Sequence, residues 1–143
     1  MDYKIVINEE LALDIVITAR ERTDILDRLE ELMKDERREL LGYRGAEIVR
    51  LDGEGVYSFF VESGRVYALD DGGRWLVKER LYALEELFGD AFLKINQSCL
   101  VRVDKIERFR TTIGGALEVV LKNGYKDYVS RRQMKAVKER IGI

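Results

Sequence analysis

Two apolar segments separated by a three-residue polar tip constrain the fold of this chain more than any other feature. The tip is Asn96, Gln97 and Ser98. The apolar residues are Phe92, Leu93 and Ile95 before it, and Cys99, Leu100, Val101 and Val103 after it. Because both flanking segments must enter a hydrophobic core, the polar side chains of the tip can reach outward with little conformational freedom left to lose. The pattern predicts a strand, a fixed polar tip and a return into the core.

A second segment predicts a helix start with an unusual charge. Ser130 followed three residues later by Gln133 is typical of a capping box, so a helix should begin here. Arg131 and Arg132 then lie in its first turn, where the positive end of the helix dipole disfavours each cation by about 0.3–1 kcal/mol. Paired arginines at this position indicate an anion from outside the chain, and a nucleic-acid backbone is the obvious candidate.

The charge is divided unevenly along the chain. The net charge is −2, yet residues 94–143 hold 12 lysines and arginines against 5 acidic residues, a net charge of +7, and residues 1–93 carry −9. Such asymmetry is typical of a protein with a polyanionic partner, although a solvated basic surface would give the same counts.

Composition argues against several other classes of function. The chain has no histidine and one cysteine, Cys99, which removes the usual metal imidazole and catalytic base and excludes an internal disulfide. We expect Cys99 to be plain core packing. The sequence has no apolar run of membrane-spanning length and no signal peptide, so we expect a cytoplasmic protein. The paired carboxylates Asp70-Asp71 and Glu85-Glu86 have no convergent base, nucleophile or metal set. We expect no enzymatic activity, no cofactor, no metal and no small-molecule substrate.

Residues 1–40 are expected to form a small β-β-α extension. Apolar runs at 3–7 and 11–18 predict two strands, and Thr23 can cap a helix. The apolar residues of that helix are Ile25, Leu26, Leu29, Leu32 and Met33. With 7 basic and 12 acidic residues the unit carries −5, and it is too short for a phosphoacceptor domain. Its strand edge and helix face suit dimerisation or partner binding.

Residues 41–143 change in character to short strands with glycine-rich turns. We predict strands at 47–51, 56–62, 65–70, 75–77, 106–113, 116–122 and 125–129, with helices at 81–88 and after Ser130. The strand at 56–62 is apolar on both faces and should be central and covered on both sides. Ser63-Gly64 and Asn123-Gly124 predict tight hairpin turns.

Side-chain directions follow from the same periodicities. In the strand at 116–122 the residues expected to face inward are Leu117, Val119 and Leu121, and those expected to face outward are Glu118 and Lys122. In the last helix the inward residues are Met134, Val137 and Ile141, and the outward ones are Lys135, Lys138 and Arg140.

This order of elements resembles the LytTR family, the DNA-binding domain of LytR/AlgR-type bacterial transcription regulators. The resemblance is carried by FLKINQSCLV at 92–101, then Ile106, LKNG at 121–124 and VSRR at 129–132, and it covers residues 42–143. Asn96 stands where the family usually has histidine, and Arg102 where it usually has asparagine. The chain would be a stand-alone member without a receiver domain.

The resemblance implies a mainly β fold with short helices, built of elongated antiparallel sheets, whose loops enter successive major grooves of direct-repeat sites. Three tips would touch DNA, at 63–65, 96–98 and 130–132. Base contacts are assigned to Gln97, Arg132, Arg65 and Asn96. Backbone contacts are assigned to Lys94, Ser98, Arg102, Lys105, Arg131, Lys126 and Lys135. Glutamine can pair with adenine and arginine with guanine, each with about 1–3 kcal/mol of discrimination.

Two hypotheses about function follow. The first is a sequence-specific transcription regulator that binds double-stranded DNA, as a homodimer. The alternative is a protein-interaction module that acts through the acidic residues 1–40, with weak or no DNA binding. In a combined interpretation, residues 1–40 mediate dimerisation or bind a regulatory partner, which the resemblance implies to be a membrane protein.

Overall fold

The computed structural model describes residues 5, 16–36 and 40–143, and the chain divides into two compact units, Met1–Arg37 and Arg38–Ile143. In the first unit the predicted helix is confirmed as α1, Asp24–Glu36. The Thr23 hydroxyl accepts a hydrogen bond from the Leu26 N–H at 3.4 Å. Residues 16–18 have no regular secondary structure, and the rest of the two predicted strands, apart from Ile5, lies outside the described residues.

The second unit is built of short strands. They are β1 (Leu40–Arg44), β2 (Glu47–Leu51), β3 (Ser58–Glu62), β4 (Arg65–Asp70), β5 (Gly73–Val77), β6 (Phe92–Asn96), β7 (Cys99–Arg102), β8 (Ile106–Thr111), β9 (Leu117–Leu121) and β10 (Lys126–Val129). Two helices, α2 (Leu81–Phe88) and α3 (Arg131–Ile141), complete it. The strands form a seven-stranded sheet of order β2-β1-β5-β4-β3-β7-β6 and a three-stranded sheet of order β10-β9-β8. The pairings are antiparallel, so the predicted mainly β, antiparallel fold is confirmed.

Two hydrophobic clusters cover opposite faces of the seven-stranded sheet. In the first, Phe59 of β3 packs with Leu84 of α2. In the second, Val101 of β7 packs with residues of β9 and with Val137 of α3. Strand β3 contributes to both, because Phe59 belongs to the first cluster and Phe60 packs against the second. The expected doubly covered central strand is therefore confirmed, and each fully buried large side chain contributes about 1.5–3 kcal/mol.

Strand β1 was not predicted, because Gly42 interrupts its apolar run. The glycine is required by packing: a Cβ atom at this position would lie 2.8 Å from the Trp75 Cβ and 2.9 Å from the Leu51 Cδ1. Both distances are shorter than real Cβ contacts, so a side chain here would push β1 away from its neighbours. Strand β1 is therefore determined by packing against distant residues and not by its local sequence.

The prediction that Glu118 faces solvent is wrong. Glu118 is only 4% exposed, although it points away from the core face of β9. It lies in the middle strand of the small sheet, with Arg110 and Tyr128 opposite it on the two neighbouring strands. The Arg110 guanidinium donates a hydrogen bond to the Glu118 carboxylate at 2.5 Å. Cross-strand neighbours therefore bury a carboxylate that strand alternation alone places in water.

The β9–β10 hairpin turns at the predicted Asn123-Gly124 but is longer than a two-residue turn. The Leu121 N–H donates to the Tyr125 carbonyl oxygen, and the Gly124 N–H donates to the Leu121 carbonyl oxygen, both at 2.9 Å. Gly124 has a left-handed φ of 89°. In α3 the predicted directions are confirmed, since Val137 is fully buried and Met134 and Ile141 pack against the same cluster.

Candidate nucleic-acid interface

The first tip is the turn between β3 and β4. Ser63 and Gly64 have φ angles of 52° and 75°, and Glu62 pairs with Arg65 across the turn. Two successive left-handed residues follow the natural twist of the flanking strands, so the predicted tight turn is confirmed. Arg65 is exposed beside the turn, and its guanidinium has no hydrogen-bond or ion-pair partner among the residues described.

The second tip joins β6 to β7. The Asn96 Oδ1 accepts a hydrogen bond from the Ser98 N–H at 2.9 Å, which closes a side-chain turn around Gln97. Gln97 and Ser98 are both exposed. The Val61 N–H donates to the Ser98 carbonyl oxygen at 2.9 Å, two residues before the first tip begins. The first and second tips therefore lie side by side at the same end of the seven-stranded sheet.

The third tip is the start of α3. The Ser130 Oγ accepts a hydrogen bond from the Gln133 N–H at 3.3 Å, so the predicted helix cap is confirmed. The Ser130 N–H donates to the Ile95 carbonyl oxygen at 2.9 Å. Beside this bond, the Asn96 Nδ2 donates to the Tyr128 carbonyl oxygen, also at 2.9 Å. Asn96 therefore uses its oxygen to shape the second tip and its nitrogen to hold the third tip against it.

The cations of the third tip are unpaired within the described part of the chain. Arg131 and Arg132 are exposed, and the first turn of α3 contains no acidic residue. The helix dipole disfavours both charges at this end. An external anion would relieve the repulsion, and it would meet two guanidinium groups that are already in position.

The structure brings the three tips together in the order 63–65, 96–98 and 130–132 along one edge. Gln97 and Arg132 lie on this same edge, because the backbone bond from Ser130 joins the third tip to the strand that leads into the second. Lys94 lies beside Gln97, and Lys135 is exposed on α3 one turn after Arg131. Lys126 is exposed at the start of β10, which is the end of that strand away from the third tip.

Two further predicted backbone contacts are not brought to this edge. Arg102 lies at the opposite end of β7, with its side chain only 13% exposed. Its Nε donates to Asp104 at 2.9 Å and its Nη1 donates to the Gly53 carbonyl oxygen at 3.0 Å. Lys105 follows shortly after, with its ammonium nitrogen 4.9 Å from the centre of the Tyr57 ring. The Arg102 guanidinium is therefore engaged within the fold, the Lys105 ammonium lies over the Tyr57 ring, and both cations are away from the three tips.

A groove between the first two tips and α2 was missed by sequence reasoning. It has a volume of about 310 Å³ and is lined by Gly64, Lys94 and Gln97, and by Arg80 and Tyr82 from the start of α2. Tyr82 is 67% exposed. Nothing local in the sequence signals this groove, because α2 reaches the tips only through the sheet that it covers.

The cysteine beneath the second tip is a packing residue, as expected. Cys99 is fully buried, and its thiol lies 4.0 Å from the Tyr125 hydroxyl. Burial raises the pKa of the Cys99 thiol far above its ordinary value. Burial also raises the pKa of the Tyr125 phenol, and the neighbouring Cys99 and Asp127 add to the effect. Both groups are therefore neutral at physiological pH.

Residues 16–36 and 40–143 contain no group of three or more metal-ligating side chains that could hold an ion. Within the same residues, no helix has the length and apolar character needed to cross a membrane.

The family of LytTr DNA-binding domains matches residues 46–142. The chain belongs to the LytTR family. All three tips and the groove beside α2 fall inside the matched LytTR domain, whereas α1 and β1 precede it.

Relatives and a solved structure agree with this assignment. Proteins of Staphylococcus aureus strains NCTC 8325, COL and N315, described as uncharacterized HTH-type transcriptional regulators, are 32% identical over 109 residues, which is 76% of this chain and 74% of theirs. The chain has the fold of the LytTr DNA-binding domain from a Bacillus cereus protein described as a methyl-accepting/DNA response regulator. That match has a TM-score of 0.69 at 16% identity, and covers 74% of this chain and 99% of the other. In residues 40–143 of the LytTR chain, five strands separate α2 from α3, so this part contains no helix-turn-helix pair.

Proposed function

We propose that this LytTR protein is a sequence-specific transcription regulator that sets its three tips into successive major grooves of double-stranded DNA. The observation that carries the proposal is the alignment of the tips along one edge, with the guanidinium groups of Arg65, Arg131 and Arg132 unpaired in the described part of the chain. Cations held in fixed positions without intrachain partners are suited to the phosphates and base edges of a duplex.

The roles divide according to side-chain chemistry. Gln97 stands at the apex of the second tip. Its side-chain amide offers one hydrogen-bond acceptor and one donor, which match the N6 donor and the N7 acceptor of adenine. Arg132 and Arg65 offer the paired donors that match guanine. Arg131 and Lys135 share one face of α3, four residues apart, and are assigned to the phosphate backbone. Each copy would read one half of a direct-repeat site.

Selection of duplexes from a random-sequence pool, followed by measurement of Kd for a selected and a random duplex, tests the proposal. Arg132→Ala should lower affinity for the selected duplex by roughly 5- to 150-fold, the equivalent of about 1–3 kcal/mol, with little effect on the random duplex. The matched change Lys135→Ala should weaken binding to both duplexes alike and reduce the slope of log K against log salt concentration by about 0.9. No enrichment of any sequence, or equal losses on both duplexes for Arg132→Ala, would refute the assignment.

The second part of the proposal is that α1 joins two copies of the chain. Ile25 and Leu32 lie two turns apart on one side of α1 and are 47% and 63% exposed. Large apolar side chains left in water on one helix face are typical of an association surface. Leu32→Glu should convert a dimer to a monomer in sedimentation equilibrium, whereas Glu31→Gln on a different face should not. A wild-type chain that sediments as a monomer at micromolar concentration would contradict this part alone.

A further inference from the structure

The groove beside α2 opens on the same edge as the first and second tips. Gly64 of the first tip forms one wall, Gln97 of the second tip forms another, and the start of α2 closes the third side. Any duplex that is read by Gln97 would therefore pass the mouth of this groove, and the groove adjoins the surface that is proposed above to bind the bases.

The charges in the groove favour a polyanion. Arg80 is exposed and Lys94 is half-buried, and neither has an ion-pair partner in the part of the chain that is described. Glu85 is the only carboxylate among the lining residues, so two cations face one anion. An unpaired cation whose stem is packed in a groove has lost part of its side-chain freedom before a phosphate arrives, which reduces the entropy lost on binding.

Tyr82 adds a contact that charge alone would not provide. Its side chain is 67% exposed, although the other residues of α2 apart from Glu85 and Glu86 are apolar. An exposed tyrosine offers a flat apolar ring and a hydroxyl donor, which together fit a sugar ring and the phosphate attached to it. The remaining lining residues are the aliphatic Val61, Val66, Leu81 and Leu100, whose side chains offer no hydrogen-bond donors that would distinguish one base from another.

We propose that this groove holds the sugar-phosphate backbone of the DNA strand next to the base pairs read by the first two tips. Arg80 and Lys94 bind its phosphates, and Tyr82 packs on a deoxyribose while its hydroxyl donates a hydrogen bond to a phosphate oxygen. The proposal rests on the DNA-binding function proposed above. It adds α2 to the interface as a backbone contact that sets the register of the tips without reading sequence.

The dependence of Kd on salt concentration tests this assignment in the full-length protein, with a duplex selected by the protein and a random duplex as probes. Arg80→Gln removes one phosphate contact, so the slope of log K against log salt should become shallower by about 0.9 on both duplexes. Tyr82→Phe should weaken both duplexes equally without changing the slope. Lys122→Gln is the matched control, because Lys122 is exposed in the β9–β10 turn, at the other end of the strand that leads to the third tip. It should leave the slope unchanged.

A scan with methylphosphonate, a neutral substitute for one phosphate, locates the contact directly. In the wild-type protein, one or two neutral substitutions next to the base pair read by Gln97 should weaken binding. In Arg80→Gln the same substitutions should have lost most of their effect. A wild-type protein that binds no duplex would refute the proposed function itself. DNA binding with an unchanged salt slope in Arg80→Gln, or with the same methylphosphonate sensitivity in both proteins, would overturn the groove assignment and leave the proposed function standing.

Discussion

Replacement of Asn96 by alanine tests whether a single side chain positions two of the tips that are proposed to read DNA. The Asn96 amide accepts a hydrogen bond from the Ser98 N–H and donates one to the Tyr128 carbonyl oxygen, both at 2.9 Å. Alanine removes both bonds and leaves every proposed base-reading side chain other than Asn96 itself in place. We expect Gln97 to lose its fixed orientation, and the second tip to lose its position relative to Arg132.

The size of the effect can be estimated from these two bonds. Each neutral hydrogen bond contributes about 0.5–1.5 kcal/mol net, and water competes for both because the tip is exposed, so the free energy of unfolding should fall by about 1 kcal/mol. The effect on recognition is greater. A glutamine that is no longer held against its base loses discrimination of about 1–3 kcal/mol, or roughly 5- to 150-fold in relative Kd.

A double-mutant cycle between Asn96→Ala and Gln97→Ala provides the assay. Kd is measured for the selected duplex and for a duplex in which the base pair that depends on Gln97 is replaced. If Asn96 acts by positioning, either change alone should abolish most of the preference at that base pair, and the double change should add little. Asn96→Asp serves as the control, because it keeps the acceptor for Ser98 and removes the donor to Tyr128. It should retain more of the preference than alanine does.

The opposite result has a clear interpretation. If Asn96→Ala abolishes the preference at a different base pair, keeps that of Gln97 and leaves the urea midpoint unchanged, Asn96 touches a base directly. Asn96 would then make the base contact that the sequence resemblance implies, and the positioning role would be wrong.

Three further predictions concern the fold. Gly42→Ala forces the two close contacts described above and should destabilise the protein by about 1–3 kcal/mol in urea denaturation, whereas Gly55→Ala, with nothing within 4 Å of its added carbon, should be near neutral; equal midpoints would contradict this. Arg110→Ala leaves the buried Glu118 carboxylate without its partner and should lower the free energy of unfolding by about 1–3 kcal/mol. Adding Glu118→Gln should recover part of that loss. A double variant that is no more stable than Arg110→Ala alone would refute the pairing. Burial raises the pKa of the Cys99 thiol in the folded state, so above about pH 8.5 the unfolded chain loses this proton while the folded chain keeps it. The contribution of Cys99 to the free energy of unfolding should therefore be fully present below about pH 8.5 and decline as the pH rises above that value. Cys99→Val should make the alkaline loss of stability shallower, and identical pH profiles would argue against the shift.

The tips were predictable because their chemistry is local. Ser63-Gly64 supplies two left-handed residues at a turn, and Ser130 caps a helix whose apolar spacing is regular. Such patterns depend only on neighbouring residues, so they can be recognised in the sequence without knowledge of the rest of the fold. The two apolar segments around Gln97 likewise predicted that the tip would be held in place.

The partners of individual polar groups could not be predicted in the same way. Arg102 resembled a free cation in sequence, yet its guanidinium donates to the carbonyl oxygen of Gly53, far away along the chain. Asn96 resembled a base contact, and its bond to the Tyr128 carbonyl depends on the packing of β10 beside β6. Glu118 depends on both of its neighbouring strands. Each of these outcomes is set by pairing between distant segments, and residue type and spacing carry no record of it.

The three tips belong to two different sheets. The first two are ends of the seven-stranded sheet, and the third is carried by the small sheet and α3. Their separation is set by the two hydrogen bonds that join β6 to the third tip and by the apolar layer between the sheets, to which Val101, Val119, Leu121 and Val137 contribute. A methylene gained or lost in that layer would change the spacing between the bases reached by neighbouring tips, with every exposed residue unaltered. Close homologues with identical tips would then prefer operators with different spacing. The choice of target site would therefore depend on residues of the hydrophobic interior as well as on the exposed tips.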